Sequence, residues 1–251
     1  MPGGQDRAAV LEAGFKDLGG HLSVVTGYSV ACAVAGLLYR LMDQAAGILG
    51  SGTRDGVVIA FGLFPFLEKL LFAMAIGAVS AMAFSILGRA IDYPVWRSGS
   101  ARRILERYGL FWTGWYLLLL VSNQLVERAA SWLGDASLAL LGMLILVLHL
   151  FTIPVGACYM FAGGEGEFGR MFRPLVERPA AAAMAMLIAF LQFALFGQFQ
   201  AMAGEGFTGL GVLFLVDLGL AWLDCLAFVI MWRACMDYRD SPDAWNLDDD
   251  F

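Results

Sequence analysis

Between Leu70 and Gly88 the chain runs for 19 residues without a charged side chain, four other long stretches share this character, and a further one, 206–232, is interrupted only by Asp217 and Asp224. At 1.5 Å rise per helical residue, such a run extends about 28 Å, close to the roughly 30 Å hydrocarbon core of a bilayer. Residues in lipid have no water to satisfy their backbone N–H and C=O groups, so long uncharged runs are read as membrane helices. The rest of the chain agrees, since 60% of its 251 residues are hydrophobic and 15% are charged. Its mean hydropathy of +0.72 lies outside the range of ordinary soluble domains. The predicted fold class is therefore all-α: a polytopic integral membrane protein with six transmembrane helices.

The predicted spans cover residues 22–42, 66–88, 108–127, 136–162, 179–203 and 208–233, within a membrane domain of residues 22–236. A cytoplasmic amphipathic segment, 1–21, precedes them, and an acidic tail, 237–251, follows. The stretch VVIAFGLFPF before the second span reads as an interfacial turn, with Glu68 and Lys69 at headgroup level as an outer-interface pair. Trp112, Trp115 and Tyr116 open the third span as an aromatic girdle near one interface. Pro154 is expected to kink the fourth span, and Pro179 to begin the fifth at a first-turn position where its missing N–H costs nothing.

The first twenty residues mix Arg7 and Lys16 with Asp6, Glu12 and Asp17, unlike the basic n-region of a cleavable signal, so the first span is expected as an uncleaved anchor. Ser29 fits poorly in a lipid-attachment box ending at Cys32. The four cysteines, Cys32, Cys158, Cys225 and Cys235, form no C-x-x-C pair and sit in or beside apolar runs. They read as small buried hydrophobes rather than a disulfide framework or zinc site.

Orientation follows from Lys and Arg. With the N-terminus cytoplasmic, twelve of the 16 basic residues fall on inner segments and three (Arg40, Arg54 and Arg128) on outer ones, with Lys69 at the boundary. Both termini are thus expected inside. The segments FKDLGGHL (15–22), RRILERYG (102–109) and FRPLVERP (172–179) each lead into a span, suggesting three transmembrane hairpins with cytoplasmic amphipathic lead-in helices. The arginine-rich connection between spans two and three, including Arg97, Arg102, Arg103 and Arg107, is expected to contact anionic inner-leaflet lipids, with topology determination as its plainer role. The tail holds six aspartates and one arginine around Trp245 and Phe251, which suits a docking peptide or a plain solvated end.

Polar groups within the spans are the candidate functional residues. Counting from the span boundaries, Asp224 lies about 14 Å from the inner edge, Gln192 about 20 Å from it, and His149 about 20 Å from the outer edge. All three fall near the midplane, with Asp217 two turns further out, level with Gln198 and Gln200. A central aspartate costs about 2.5–3.5 kcal/mol on insertion scales, and the seven-residue spacing puts Asp217 and Asp224 within about 20° of one helix face. That face is predicted to look into the bundle. Asp224, His149 and Gln192 are expected to cooperate, either as an interhelical hydrogen-bond clamp or as a path for a proton, ion or small solute.

Enzyme inventories are thin. The two histidines, His21 and His149, do not supply a bis-histidine haem, and hydrolase, zinc-protease and phosphate-loop motifs are missing. The glycine-rich AGGEGEFG (162–169) reads as a helix end and turn, and a metal site from His149, Asp224 and Cys225 has no supporting motif. No cofactor and no nucleic-acid partner is expected, the latter given a net charge of −6. The preferred expectation is a non-enzymatic integral subunit or scaffold of a larger bacterial inner-membrane complex, with membrane-protein partners or its own copies. A small ion, proton or solute transporter using Asp224, Asp217 and His149 comes second, and an intramembrane enzyme third.

Overall fold

A computed structural model describes residues 7–50, 58–91, 100–129, 134–163, 172–203 and 206–240, and all the regular structure there is helical. The order is α1 (Arg7–Gly20), α2 (Leu22–Gly50), α3 (Val58–Ile91), α4 (Ala101–Ile104), a π turn (Leu105–Gly109), α5 (Leu110–Ala129), α6 (Asp135–Phe161), α7 (Arg173–Glu177), α8 (Pro179–Met202) and α9 (Phe207–Arg239). Among the described residues, six segments are long and apolar enough to cross a membrane: Leu22–Ala45, Phe66–Ile91, Ala101–Val126, Ser137–Phe161, Pro179–Met202 and Thr208–Arg239.

Three local expectations change. The stretch expected as an interfacial turn is helical from Val58 onward, so α3 is 34 residues long. Continuing the helix satisfies backbone groups that a turn would leave for lipid. The lead-in at 102–109 is no separate helix: the π turn joins α4 to α5 without a break. A π turn accommodates the extra residue while keeping the backbone bonded, and it turns Ile104 and Tyr108 inward while Arg102, Arg103, Glu106 and Arg107 stay exposed. Trp112 consequently sits in the core, fully buried, rather than in an interfacial girdle.

The other two lead-ins are discrete. Arg178, at φ −120° and ψ 61°, separates α7 from α8 because the ring of Pro179 disfavours helical geometry in the residue before it. The Gly19–Gly20 pair ends α1, and His21 carries the turn, its N–H donating to the Leu18 carbonyl at 3.0 Å.

Helix α9 is the hub. It packs along α2, α8 and α6 and touches α3, while α2, α3, α5, α6 and α8 follow one another as an arc around it. From Cys225 to Met231 every residue of α9 is buried, as are Trp232, Ala234 and Cys235. Towards the other end, from Gly211 to Leu220, α9 has no buried residue, and α8 has none beyond Gln192. Packing is thus dense at the end shared by α1 and Arg239 and sparse at the opposite end.

Aromatic side chains fill the dense half. The Phe84 ring stacks on Phe228 at 4.4 Å and 7°, with Trp112 at 5.2 Å and Tyr28 at 5.1 Å. Two glycines make room for tryptophans of neighbouring helices: a Cβ at Gly88 would lie 2.7 Å from the Trp232 ring, and one at Gly156 would overlap the Trp112 indole. That indole is pinned further by donating to the Met160 sulfur at 3.2 Å. A third close crossing places Gly77 of α3 against the Thr113 backbone, 2.7 Å from where a Cβ would stand.

Helix α1 lies across α9, with Gly14 against Leu226 and Ile230, and Phe15 5.7 Å from Trp222. The Arg233 guanidinium grips the Asp17 carboxylate with two N–H groups, one of them at 2.7 Å. Both partners are partly exposed, so the pair is worth about 1 kcal/mol. Asp17→Ala is accordingly expected to leave the six spans assembled while α1 loosens. Hydrogen exchange should show faster amide turnover across Arg7–Gly20 and unchanged protection in α9; equal protection in both proteins would refute this docking role.

Candidate functional site

One buried polar chain crosses the bundle. Gln192 on α8 donates through Nε2 to Asp224 Oδ1 at 2.8 Å and to the Leu220 carbonyl at 2.7 Å, bridging to α9. Tyr28 on α2 donates to Asp224 Oδ2 at 3.4 Å, a long bond. Beyond it, Tyr28 Oη lies 3.4 Å from Ser80 Oγ on α3, and Ser80 Oγ 3.2 Å from Tyr116 Oη on α5. Each hydroxyl has one proton to give. With Tyr28 committed to Asp224, Ser80 donates to Tyr28 and Tyr116 donates to Ser80, so every donor points towards the carboxylate. Such a directed chain strengthens each member electrostatically where the surroundings are apolar.

Asp217 is handled separately. Arg40 on α2 meets it with both terminal nitrogens, Nη1 to Oδ2 at 2.7 Å and Nη2 to Oδ1 at 3.0 Å, the bidentate geometry peculiar to arginine. The side chains are 19% and 15% exposed. Gly36, one turn before Arg40, lets the carboxylate approach: a Cβ there would stand 2.5 Å from Asp217 Oδ2.

The expected trio comes together only in part. Gln192 and Asp224 are bonded, but His149 on α6 lies beside Ala189 and 5.7 Å from the Phe193 ring. Among the described residues its Nε2 is buried without a hydrogen-bond partner, and no bond links it to Gln192 or Asp224. Tyr28, Ser80, Tyr116 and Arg40 are the members that sequence reasoning missed. Arg40 was open to discovery by depth: it lies 18 residues into its span, about 27 Å, and Asp217 lies 16 residues from Arg233, about 24 Å.

Of the outer pair, Glu68 is buried and Lys69 half-buried, and the nearby charge on the second span's neighbour is Asp43. Among the arginines, Arg102 pairs with Glu106 at 2.7 Å, Arg103 is exposed, and the Arg107 guanidinium lies over Gly163 at the end of α6. Arg97 and the tail beyond Asp240 lie outside the described residues. The cysteines are free thiols; Cys158 and Cys235 face each other at 3.6 Å between α6 and α9. Among the described residues no three His, Cys, Asp or Glu side chains converge as metal ligands would.

Six apolar helices carrying a laterally bonded polar interior define the class, a multi-pass membrane protein. Compared with known proteins, the chain matches no family model, no curated sequence and no solved structure.

Proposed function

We propose that the chain is a non-enzymatic integral subunit or scaffold of a larger assembly in a bacterial inner membrane, with both termini cytoplasmic and its spans arranged as three hairpins. The observation that carries this reading is the course of the polar chain. Gln192, Asp224, Tyr28, Ser80 and Tyr116 each come from a different membrane helix, so the chain steps sideways from helix to helix through the bundle. A conduit would stack its polar groups along the membrane normal, whereas a clamp distributes them as this chain does. Partners are expected at the apolar faces of α6 and α8, and the acidic tail offers a further docking segment. Arg102 and Arg103 remain the candidates for contact with anionic lipid.

Asp224 separates this reading from the transporter alternative. Asp224→Asn retains an acceptor oxygen for Gln192 and is expected to cost less than about 1 kcal/mol, while Asp224→Leu leaves one Gln192 N–H without its acceptor and takes the carboxylate from Tyr28, costing about 2–3 kcal/mol. Unfolding of the purified protein in mixed micelles measures both. Stoichiometric membrane partners that survive gentle solubilisation in wild type and in Asp224→Asn support the subunit. A partner-free protein whose Asn variant assembles normally but loses solute or proton flux in vesicles points to transport instead.

A further inference from the structure

Beyond the subunit role, a cavity of about 280 Å³ opens between α1, α8 and α9 at the dense end of the bundle. Its floor is apolar and shallow-walled, formed by Ala13 of α1, Ala181 of α8, and Ile230 and Ala234 of α9, while Arg233 and Asp237 stand at its rim. Small side chains come from all three helices here, so the space results from alanine positions that larger residues would fill.

The rim is charged in a balanced way. Arg233 faces Asp17, and Arg178 donates from Nη2 to the Asp237 carbonyl at 2.8 Å, which brings a second guanidinium to the same edge. Arg178 Nε is buried and has no hydrogen-bond partner among the described residues. Arg233 and Asp237 thus line the edge of an apolar slot, with Arg178 bonded to Asp237 and Asp17 bonded to Arg233 just beyond it, where helices α8 and α9 reach one face of the membrane. We propose that this slot binds a phospholipid with an amine-bearing headgroup: the phosphodiester accepts from Arg178 and Arg233, the ammonium lies on the carboxylate side of the rim, and the first methylenes of an acyl chain rest on the alanine floor. With Nε and Nη2 of Arg233 on Asp17 and Nη2 of Arg178 on Asp237, the Nη1 groups of both guanidiniums are the donors offered to the phosphate oxygens. The neighbouring carboxylates disfavour a headgroup of higher negative charge, which sets this site apart from the exposed Arg102–Arg103 surface.

The test uses the full-length protein in nanodiscs with a phosphatidylethanolamine carrying a photoreactive group near the headgroup end of one acyl chain. Cross-links concentrated at Ala9–Ala13 and Ile230–Ala234, and competed at least tenfold better by unlabelled phosphatidylethanolamine than by phosphatidylglycerol or phosphatidylcholine, are expected. Labelling spread evenly over lipid-facing residues such as Leu140 and Met143 overturns the site. Focused labelling competed equally by all three lipids overturns the headgroup assignment. Ala234→Leu, which fills the floor without touching the charges, is expected to lower the focused cross-link at least tenfold. Should that variant not fold, the wild-type competition still decides.

Discussion

Replacing Gly156 by alanine is expected to disrupt the contact between α5 and α6 more severely than its single methyl suggests. The new Cβ would overlap the Trp112 indole, and that ring has nowhere to go. It is completely buried, bonded to Met160, and hemmed in by Phe84, Phe111 and Tyr116 at 5.2–5.8 Å. Overpacking of this kind in a rigid core costs about 3 kcal/mol. Trp112→Phe alone should cost a similar amount through the cavity it leaves, but combined with Gly156→Ala it should recover at least half of the loss, because the smaller ring makes room for the methyl. Unfolding midpoints of the two single variants and the double measure the coupling. Additive losses would show that the glycine is not there for the tryptophan.

The second large effect concerns Arg40 and Asp217. Removing either partner leaves a mostly desolvated charge on α2 or α9, and breaking such a pair costs about 3 kcal/mol, near the low end for buried pairs because both side chains retain some exposure. Arg40→Leu and Asp217→Leu should each show this loss, whereas the double replacement should return to within about 1 kcal/mol of wild type, since two leucines need no mutual compensation. If the double variant is as unstable as the sum of the singles, the pair is no unit. Both single variants should also shift the α2–α9 contact around Gly36, which exists to admit the Asp217 carboxylate.

The six spans were legible because lipid imposes a length and forbids most charge, so run lengths alone located them. Asp217 and Asp224 were legible as inward-facing for the same reason. Their partners were harder to read. A tyrosine or serine within an apolar run, such as Tyr28 or Ser80, carries no length or charge signature, and its role depends on which helices are neighbours. Arg40 looked like an end-of-span charge until α2 proved to continue to Gly50, ten residues further. Trp112 was misplaced because the π turn is invisible in hydropathy: the run starting at Tyr108 looked like the beginning of a span, when helix already extended back to Ala101. Counting residues gave His149 a depth, but depth does not fix direction around a helix, and its ring meets Phe193, the residue after Gln192 and on another face of α8.

That α9 is the hub has a bearing on how the molecule is made. This helix leaves the ribosome after the other five spans, yet Phe228, Trp232 and their neighbours provide the surface against which those spans settle. Until it arrives, Gln192 and Tyr28 lack their shared carboxylate and the arc of earlier helices has no centre. The five are expected to keep their mutual contacts, such as Gly156 against Trp112 and Gly77 against Thr113, while Gln192 and Tyr28 stay without that acceptor. Assembly is gated by the arrival of α9, so a chain cut short before Phe207 is expected to be cleared rather than accumulate.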